Sequence, residues 1–321
     1  MADILNKLNT ANYITVKVTD NPIANGNNLL AAYNLAKSRN PNGLAKSATN
    51  RVNIILPVAI YDLGTQSLTL DAQFIDIIGS TDNRDEHYIR SDVGALNRGV
   101  ITQTANDVRL LNLTIENTNN SYSPGNGNGS ATPATYFPNS NLPLTYIENV
   151  RFLANDVTIF STRSHNITYS GTYINCAGGR FAFGGGIEPT GLSGQQMGTL
   201  SGTFINCTGG DGSFAGTGGT GNIGNAGFLT GTFRDCTGGN FSFGGSANAP
   251  GALTGTFINC IGGAFSFGGL SNSSVETNLT GTFINCRGGF SSFGSAKDYD
   301  RGFNGGTFIN CIGGTKSFDL L

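Results

Sequence analysis

One phrase is written six times in this chain: GTYINC ending at Cys176, GTFINC at Cys207, GTFRDC at Cys236, and GTFINC at Cys260, Cys286 and Cys311. These cysteines recur at intervals of about 24 to about 31 residues, the period expected of stacked repeats. A phenylalanine stands seven positions after every one of them: Phe183, Phe214, Phe243, Phe267, Phe293 and Phe318. A unit this short cannot enclose a core alone and buries a face only by stacking on its neighbours, which makes the chain a solenoid. The stretch from Cys to Phe is constant in length, so the variation falls between that Phe and the next Thr-Phe. One side of each coil is therefore rigid, and another carries loops of unequal length.

The residue types identify the coil. Thr, Phe and Ile followed by Gly-Gly and another Phe read as short strands between tight bends, with no helical periodicity inside the unit. A unit of about 24 residues with three short strands matches one turn of a three-sided parallel β-helix, with coils stacked about 4.8 Å apart. The expected fold class is all-β, a right-handed three-sided parallel β-helix with a short N-terminal capping helix. Substitutions inside the repeat assign the columns. The Ile of TFIN is Arg234 in one unit, and an unpaired Arg cannot sit in a dry core, so that column points outward. The residue after Cys varies as Ala177, Thr208, Thr237, Ile261, Arg287 and Ile312, and is outward too. The Cys and Phe columns do not vary among the six units and are expected inside. Asn175, Asn206, Asp235, Asn259, Asn285 and Asn310 fit a bend where stacked amides bond between coils, and Gly209-Gly210 is read as a further bend. An outward column of Phe204, Phe233, Phe257, Phe283 and Phe308 is expected to supply an apolar surface for a homotrimer.

The upstream segments VNIILPVAIYDLG, SLTLDAQFIDIIGS, GVITQT, DVRLLNLTIENT, YIENVRFLANDVTIF and HNITYSGTYINC read as degenerate coils of the same solenoid. The division is an N-terminal cap or attachment segment over 1–49 and a β-helix over 50–321, with regular repeats over 169–321. In NNLLAAYNLAKS, residues 27–38, Leu29, Ala32, Tyr33 and Ala36 share one helical face. Such a helix would cover the open first coil, since solenoid ends must be protected from edge pairing. Residues 117–143 are rich in Asn, Gly, Ser and Pro and too long for a coil bend, so they are read as an insertion.

LTLDAQFIDIIGSTDN followed by GVITQTANDVRLLNLTIENTNN resembles the core rungs of the pectin-lyase-like right-handed β-helix superfamily. The helix-then-strand opening resembles that of bacteriophage tailspikes and related virion β-helix proteins. The resemblance implies a fold more than an activity. It supports an expected role as a virion-associated, tail-spike-like or fibre-like structural rod that binds a receptor glycan. The loops at 184–199, 215–228, 244–252, 268–278 and 294–302, with Tyr299 and Arg301 in the last, would be its recognition surface. A polysaccharide depolymerase, lyase or hydrolase, of the same fold is the alternative, and a bacterial surface adhesin is a second. The expected partners are further copies in a trimer, other virion or appendage proteins through the N-terminal region, and a cell-surface glycan. The expected location is the virion, assembled in the host cytoplasm, or else the cell surface.

Charge narrows the chemistry. With 18 basic and 20 acidic residues the chain shows no electrostatic footprint for nucleic acid, and no apolar run suits a membrane helix. Its opening, MADILNKLNTANYITVKV, has no basic region leading an apolar one, so no secretory leader is expected. Only 12% of residues are charged, yet STDNRDEHYIRSD, residues 80–92, concentrates Asp82, Arg84, Asp85, Glu86, His87, Arg90 and Asp92. Of these, Asp82, Arg84, Asp85, Glu86 and His87 form a candidate surface site, a sugar-binding loop or a solvated, salt-bridged bend. Sugar-cleaving β-helices need carboxylates from neighbouring rungs aimed into one groove. In the repeat region Glu188, Asp211, Asp235, Glu276, Asp298 and Asp300 scatter over different coil positions, so no catalytic set and no cofactor is assigned. A straight column of single thiols cannot converge tetrahedrally on zinc, and the two histidines, His87 and His165, lie outside any Cys-His motif. Disulfides between adjacent coils remain an alternative to buried thiols acting as small hydrophobes.

Overall fold

The structure is a computed structural model, describing residues 12–94, 98–119, 134–136, 145–154, 168–180, 182–184, 199–216, 227–246, 252–269, 278–294 and 305–318. Eleven strands run in unbroken chain order along one parallel ladder, from Tyr13–Thr15 through Val52–Leu56, Ile75–Gly79, Arg109–Asn117, Thr145–Ala154 and Gly171–Ile174 to Thr203–Ile205, Thr232–Arg234, Thr256–Ile258, Thr282–Ile284 and Thr307–Ile309. A ladder in which each coil pairs only with the coil before and after it is a parallel β-helix. On a second side Ala59–Asp62 pairs with His87–Ser91, which pairs with the far end of Arg109–Asn117. Single bridges then continue that side from Arg151 through Ala177, Thr208, Thr237, Ile261 and Arg287 to Ile312. The third side holds Leu68–Leu70, Ile101–Gln103 and Thr135–Tyr136, and in the repeat region a column of Leu200, Leu229, Leu253 and Leu279.

The helix is Pro22–Ser38, longer at its start than the apolar pattern alone indicates. Asn21 caps it by accepting from Ile23 N and Ala24 N, and Pro22 fits the first turn, where no backbone donor is needed. Its buried face includes Leu29, Ala32, Tyr33 and Ala36. Among the described strands Ala59–Asp62 has one partner, and the helix packs closely on it, with Asn25 Nδ2 donating to Ile60 O at 3.2 Å. A Cβ on Gly26 would collide with the Asp62 carbonyl oxygen, so only glycine permits this approach. The buried corner of Arg51 with Asp76 and Asp107 ties three successive coils together at 2.5–2.8 Å.

The repeat region is filled by two aromatic columns. Tyr173, Phe204, Phe233, Phe257, Phe283 and Phe308 stack face to face at 4.7–5.0 Å. Phe183, Phe214, Phe243, Phe267, Phe293 and Phe318 do the same at 4.5–4.8 Å. The columns meet edge to face, the arrangement the ring quadrupole favours. The first column corrects the expectation of an outward Phe surface: Phe204, Phe233, Phe257 and Phe283 are fully enclosed, and Phe308 packs on the core. In a strand the side chains alternate, so an outward Ile205 or Arg234 requires an inward Phe204 or Phe233. The apolar interface expected for a trimer is therefore interior.

The bends also differ from expectation. Gly209 and Gly210 do not adopt positive φ. The left-handed positions include the asparagine column, with φ from 50° to 55°, the second Phe column, with φ from 50° to 59°, and the column of Phe241, Phe265, Ser291 and Lys316, with φ from 47° to 62°. Asn tolerates this region; Phe does so at a cost of about 1–3 kcal/mol, which its ring stack offsets. The glycine pair serves close packing instead. A Cβ on Gly238 would collide with that of Ser242, and one on Gly239 would press on the Asp211 backbone of the preceding coil.

The six cysteines are free, and all but the half-buried Cys311 are buried. Their thiols donate to carbonyl oxygens of the preceding coil, as Cys207 Sγ does to Tyr173 O at 3.4 Å. Burial pushes the thiols of Cys207, Cys236 and Cys260 well above their ordinary values.

Candidate functional site

Between the strands Ile75–Gly79 and His87–Ser91 the chain leaves the coil path and forms a hook, residues 80–86. Its tip is a short 3-10 turn, Arg84–Glu86, capped by Asn83 Oδ1 accepting from Asp85 N. Thr81 Oγ1 and Asn83 Nδ2 donate to the two carboxylate oxygens of Glu86, at 2.8 and 3.1 Å, closing the hook on itself. His87 anchors its base and is fully enclosed. Ser80 N can only donate, so His87 Nε2 is the bare acceptor facing it. The proton therefore sits on Nδ1, which donates to Asn83 O. Burial lowers the His87 pKa from its ordinary value, which keeps this neutral form.

The hook reaches along the helix axis over coils that follow much later in sequence. Asn112 Nδ2 donates to Asp82 Oδ1 at 3.4 Å, and Asn149 Nδ2 to Asp82 O at 2.7 Å. Asp85 Oδ1 accepts from Thr114 Oγ1 at 3.1 Å and pairs with Arg151 at 2.9 Å. Arg84 Nη1 donates to Asn175 O at 2.8 Å. Under the overhang lies an open groove of ≈ 450 Å³. Asp82, Asn83, Arg84 and Asp85 form one wall, and the outward faces of the coils from Asn149 and Arg151 to Asn206 and Thr208 form the floor.

The candidate residues thus divide. Asp82, Arg84 and Asp85 face the groove; Glu86 is spent inside the hook; His87 is internal with both nitrogens engaged. Arg90 pairs with Asp62 at 2.9 Å on the outer surface, away from the groove. Sequence reasoning does not single out Asn112, Asn149 and Arg151. Asn112 and Asn149 have φ of 56° and 52° and belong to the same column as Asn175 and Asn206. A signal for them exists: Leu110-Leu111-Asn112-Leu113 and Ile147-Glu148-Asn149-Val150 repeat the pattern of Phe204-Ile205-Asn206-Cys207, with Leu113 and Val150 in place of the thiol. The centres of the loops expected to form a recognition surface, including Tyr299 and Arg301, lie outside the described residues, as does most of the 117–143 insertion. Among the described residues no cluster of three or more His, Cys, Asp or Glu could hold a metal ion, and no helix is long and apolar enough to cross a membrane.

No family model matches the chain, and no curated protein matches it. Solved structures similar to it include two pectin methylesterases. A pectin methylesterase in complex with a hexasaccharide shares 15% identity at a TM-score of 0.36, over 87% of this chain and 79% of that one. The pectin methylesterase PemA from Erwinia chrysanthemi shares 14% at 0.31, over 74% and 70%. Likeness at this level carries no argument about activity, and the fold rests on the parallel ladders themselves.

Proposed function

We propose that the chain is a glycan-binding rod of a virion appendage, with the groove under the 80–86 hook as its binding surface. The observation that carries the reading is the hook itself. A chain with few charges gathers Asp82, Arg84, Asp85 and Arg151 over an asparagine-lined floor, and the result is a concave surface of hydrogen-bonding groups suited to sugar hydroxyls. Asp85, Glu86 and His87 favour binding over cleavage. Asp85 is held by Thr114 and Arg151, Glu86 by Thr81 and Asn83, and His87 has no nitrogen left to move a proton. The virion setting rests on the resemblance of the opening segments to tailspikes.

Incubation of the purified chain with host surface polysaccharides separates this reading from the depolymerase alternative. Retention of the polysaccharide with no rise in reducing ends or unsaturated products is the expected result. Sustained release of either product would make the protein an enzyme.

A further inference from the structure

The asparagine column is hydrogen-bonded from coil to coil in one direction. Each amide donates to the side-chain oxygen of the coil before: Asn149 to Asn112 at 2.9 Å, Asn206 to Asn175 at 2.8 Å, Asn259 to Asp235 at 2.8 Å, Asn285 to Asn259 at 3.1 Å and Asn310 to Asn285 at 3.3 Å. Among the described residues two links of this column are missing. Between Asn206 and Asp235 the residue type explains the gap, because an ionised carboxylate has no N–H to donate. Between Asn149 and Asn175 it does not. Both are asparagines, both are left-handed at 52° and 53°, and yet they do not bond to one another.

The neighbours fix how each amide is turned. Asn175 Oδ1 is taken by Asn206 Nδ2, which leaves Asn175 Nδ2 as a donor without a partner among the described residues. Asn149 Nδ2 is taken by Asn112 Oδ1 and Asp82 O, which leaves Asn149 Oδ1 as an acceptor without one. The break therefore presents an unused donor and an unused acceptor on successive coils. It lies in the floor of the groove, at the coil where Arg84 crosses to Asn175 O.

We propose that this break in the ladder is a hydroxyl-reading subsite, where one sugar hydroxyl accepts from Asn175 Nδ2 and donates to Asn149 Oδ1. The inference rests on the glycan-binding reading and adds the group that is recognised. A hydroxyl satisfies both amides through one oxygen. A carboxylate would meet the Asn149 oxygen with a second negative oxygen, and an ammonium could not accept from Asn175.

Asn175→Asp tests it, because the substitution replaces the unused donor with an acceptor and keeps the oxygen that receives Asn206. Asn285→Asp makes the same change where the ladder is continuous and serves as the control. The probe is a printed array of neutral and uronic-acid hexasaccharides, followed by titration of the best-retained hexasaccharide. Asn175→Asp is expected to weaken binding by about ten-fold, the loss of one well-placed hydrogen bond, with Asn285→Asp unchanged. Undiminished binding by Asn175→Asp, with Arg84→Ala weakened, would overturn the subsite and leave the groove standing, its break filled by water only. Undiminished binding by both would overturn the groove as well, and no binding by the unaltered chain to any hexasaccharide would remove the reading on which the subsite rests.

Discussion

Raising the pH should destabilise this protein through its cysteines. Cys207, Cys236 and Cys260 are 0% exposed, and desolvation pushes each thiol well above its ordinary value. In the unfolded chain the same thiols ionise near pH ~8.5. A group raised on folding contributes stability that is complete below its unfolded value and is lost as the pH climbs past it. Between about pH 7.5 and about pH 9.5 each unfolded thiol gains about 1.4 kcal/mol that its buried counterpart does not, or about 4 kcal/mol for three. Set against a usual total of about 5–15 kcal/mol, that is a large share. Urea titrations at the two pH values, in strong reductant and followed by far-ultraviolet circular dichroism, measure it directly. Cys236→Ala should remove about one third of this contribution, whatever it does to the stability at neutral pH. Equal stability at both pH values, or rapid alkylation of these thiols in the folded protein, would refute the reasoning.

Phe233 lies between Phe204 and Phe257 at 5.0 and 4.9 Å and meets Phe214 and Phe243 edge to face. Phe233→Ala should therefore cost about 3–5 kcal/mol in chemical denaturation. Arg234→Ala, one residue on and exposed, should leave the same denaturation curve almost unmoved. His87, held neutral by burial, should make stability fall as the pH drops through the unfolded histidine value of about 6.5, because the unfolded chain then binds a proton that the folded chain refuses. Denaturation midpoints at neutral and mildly acidic pH for the unaltered chain and His87→Gln measure this, with a smaller acid loss expected in the variant.

The coil is legible because every unit rewrites the same columns. Six cysteines and six phenylalanines at constant offset leave no other way to bury both. Two local expectations fail for identifiable reasons. Arg234 marks its column as outward, and strand alternation then carries Phe233 to the inside, against the outward placement expected for it. Gly-Gly is a common turn signal, whereas a Phe at positive φ is not a signal at all, so the bend is assigned to the wrong pair. The hook is visible as a cluster of charges, but its partners are not. Arg84 meets a carbonyl 91 residues away, and Asn149 meets Asp82 O across 67. Such contacts follow from which coils stack side by side, and upstream the register is blurred because Leu113 and Val150 stand where the repeats place cysteine. The missing link between Asn149 and Asn175 has no sequence signature whatever, since both positions carry the residue that the ladder requires.

On the proposed function, the hook makes a glycan-binding groove on the parallel β-helix. Equilibrium binding of the hexasaccharide array to the full chain and to Arg84→Ala tests it most directly, because Arg84 is the side chain that joins the hook to the Asn175 coil. Retention of at least one hexasaccharide by the unaltered chain is expected, with a clear loss in Arg84→Ala and both proteins equally folded. Retention that Arg84→Ala leaves untouched would contradict it.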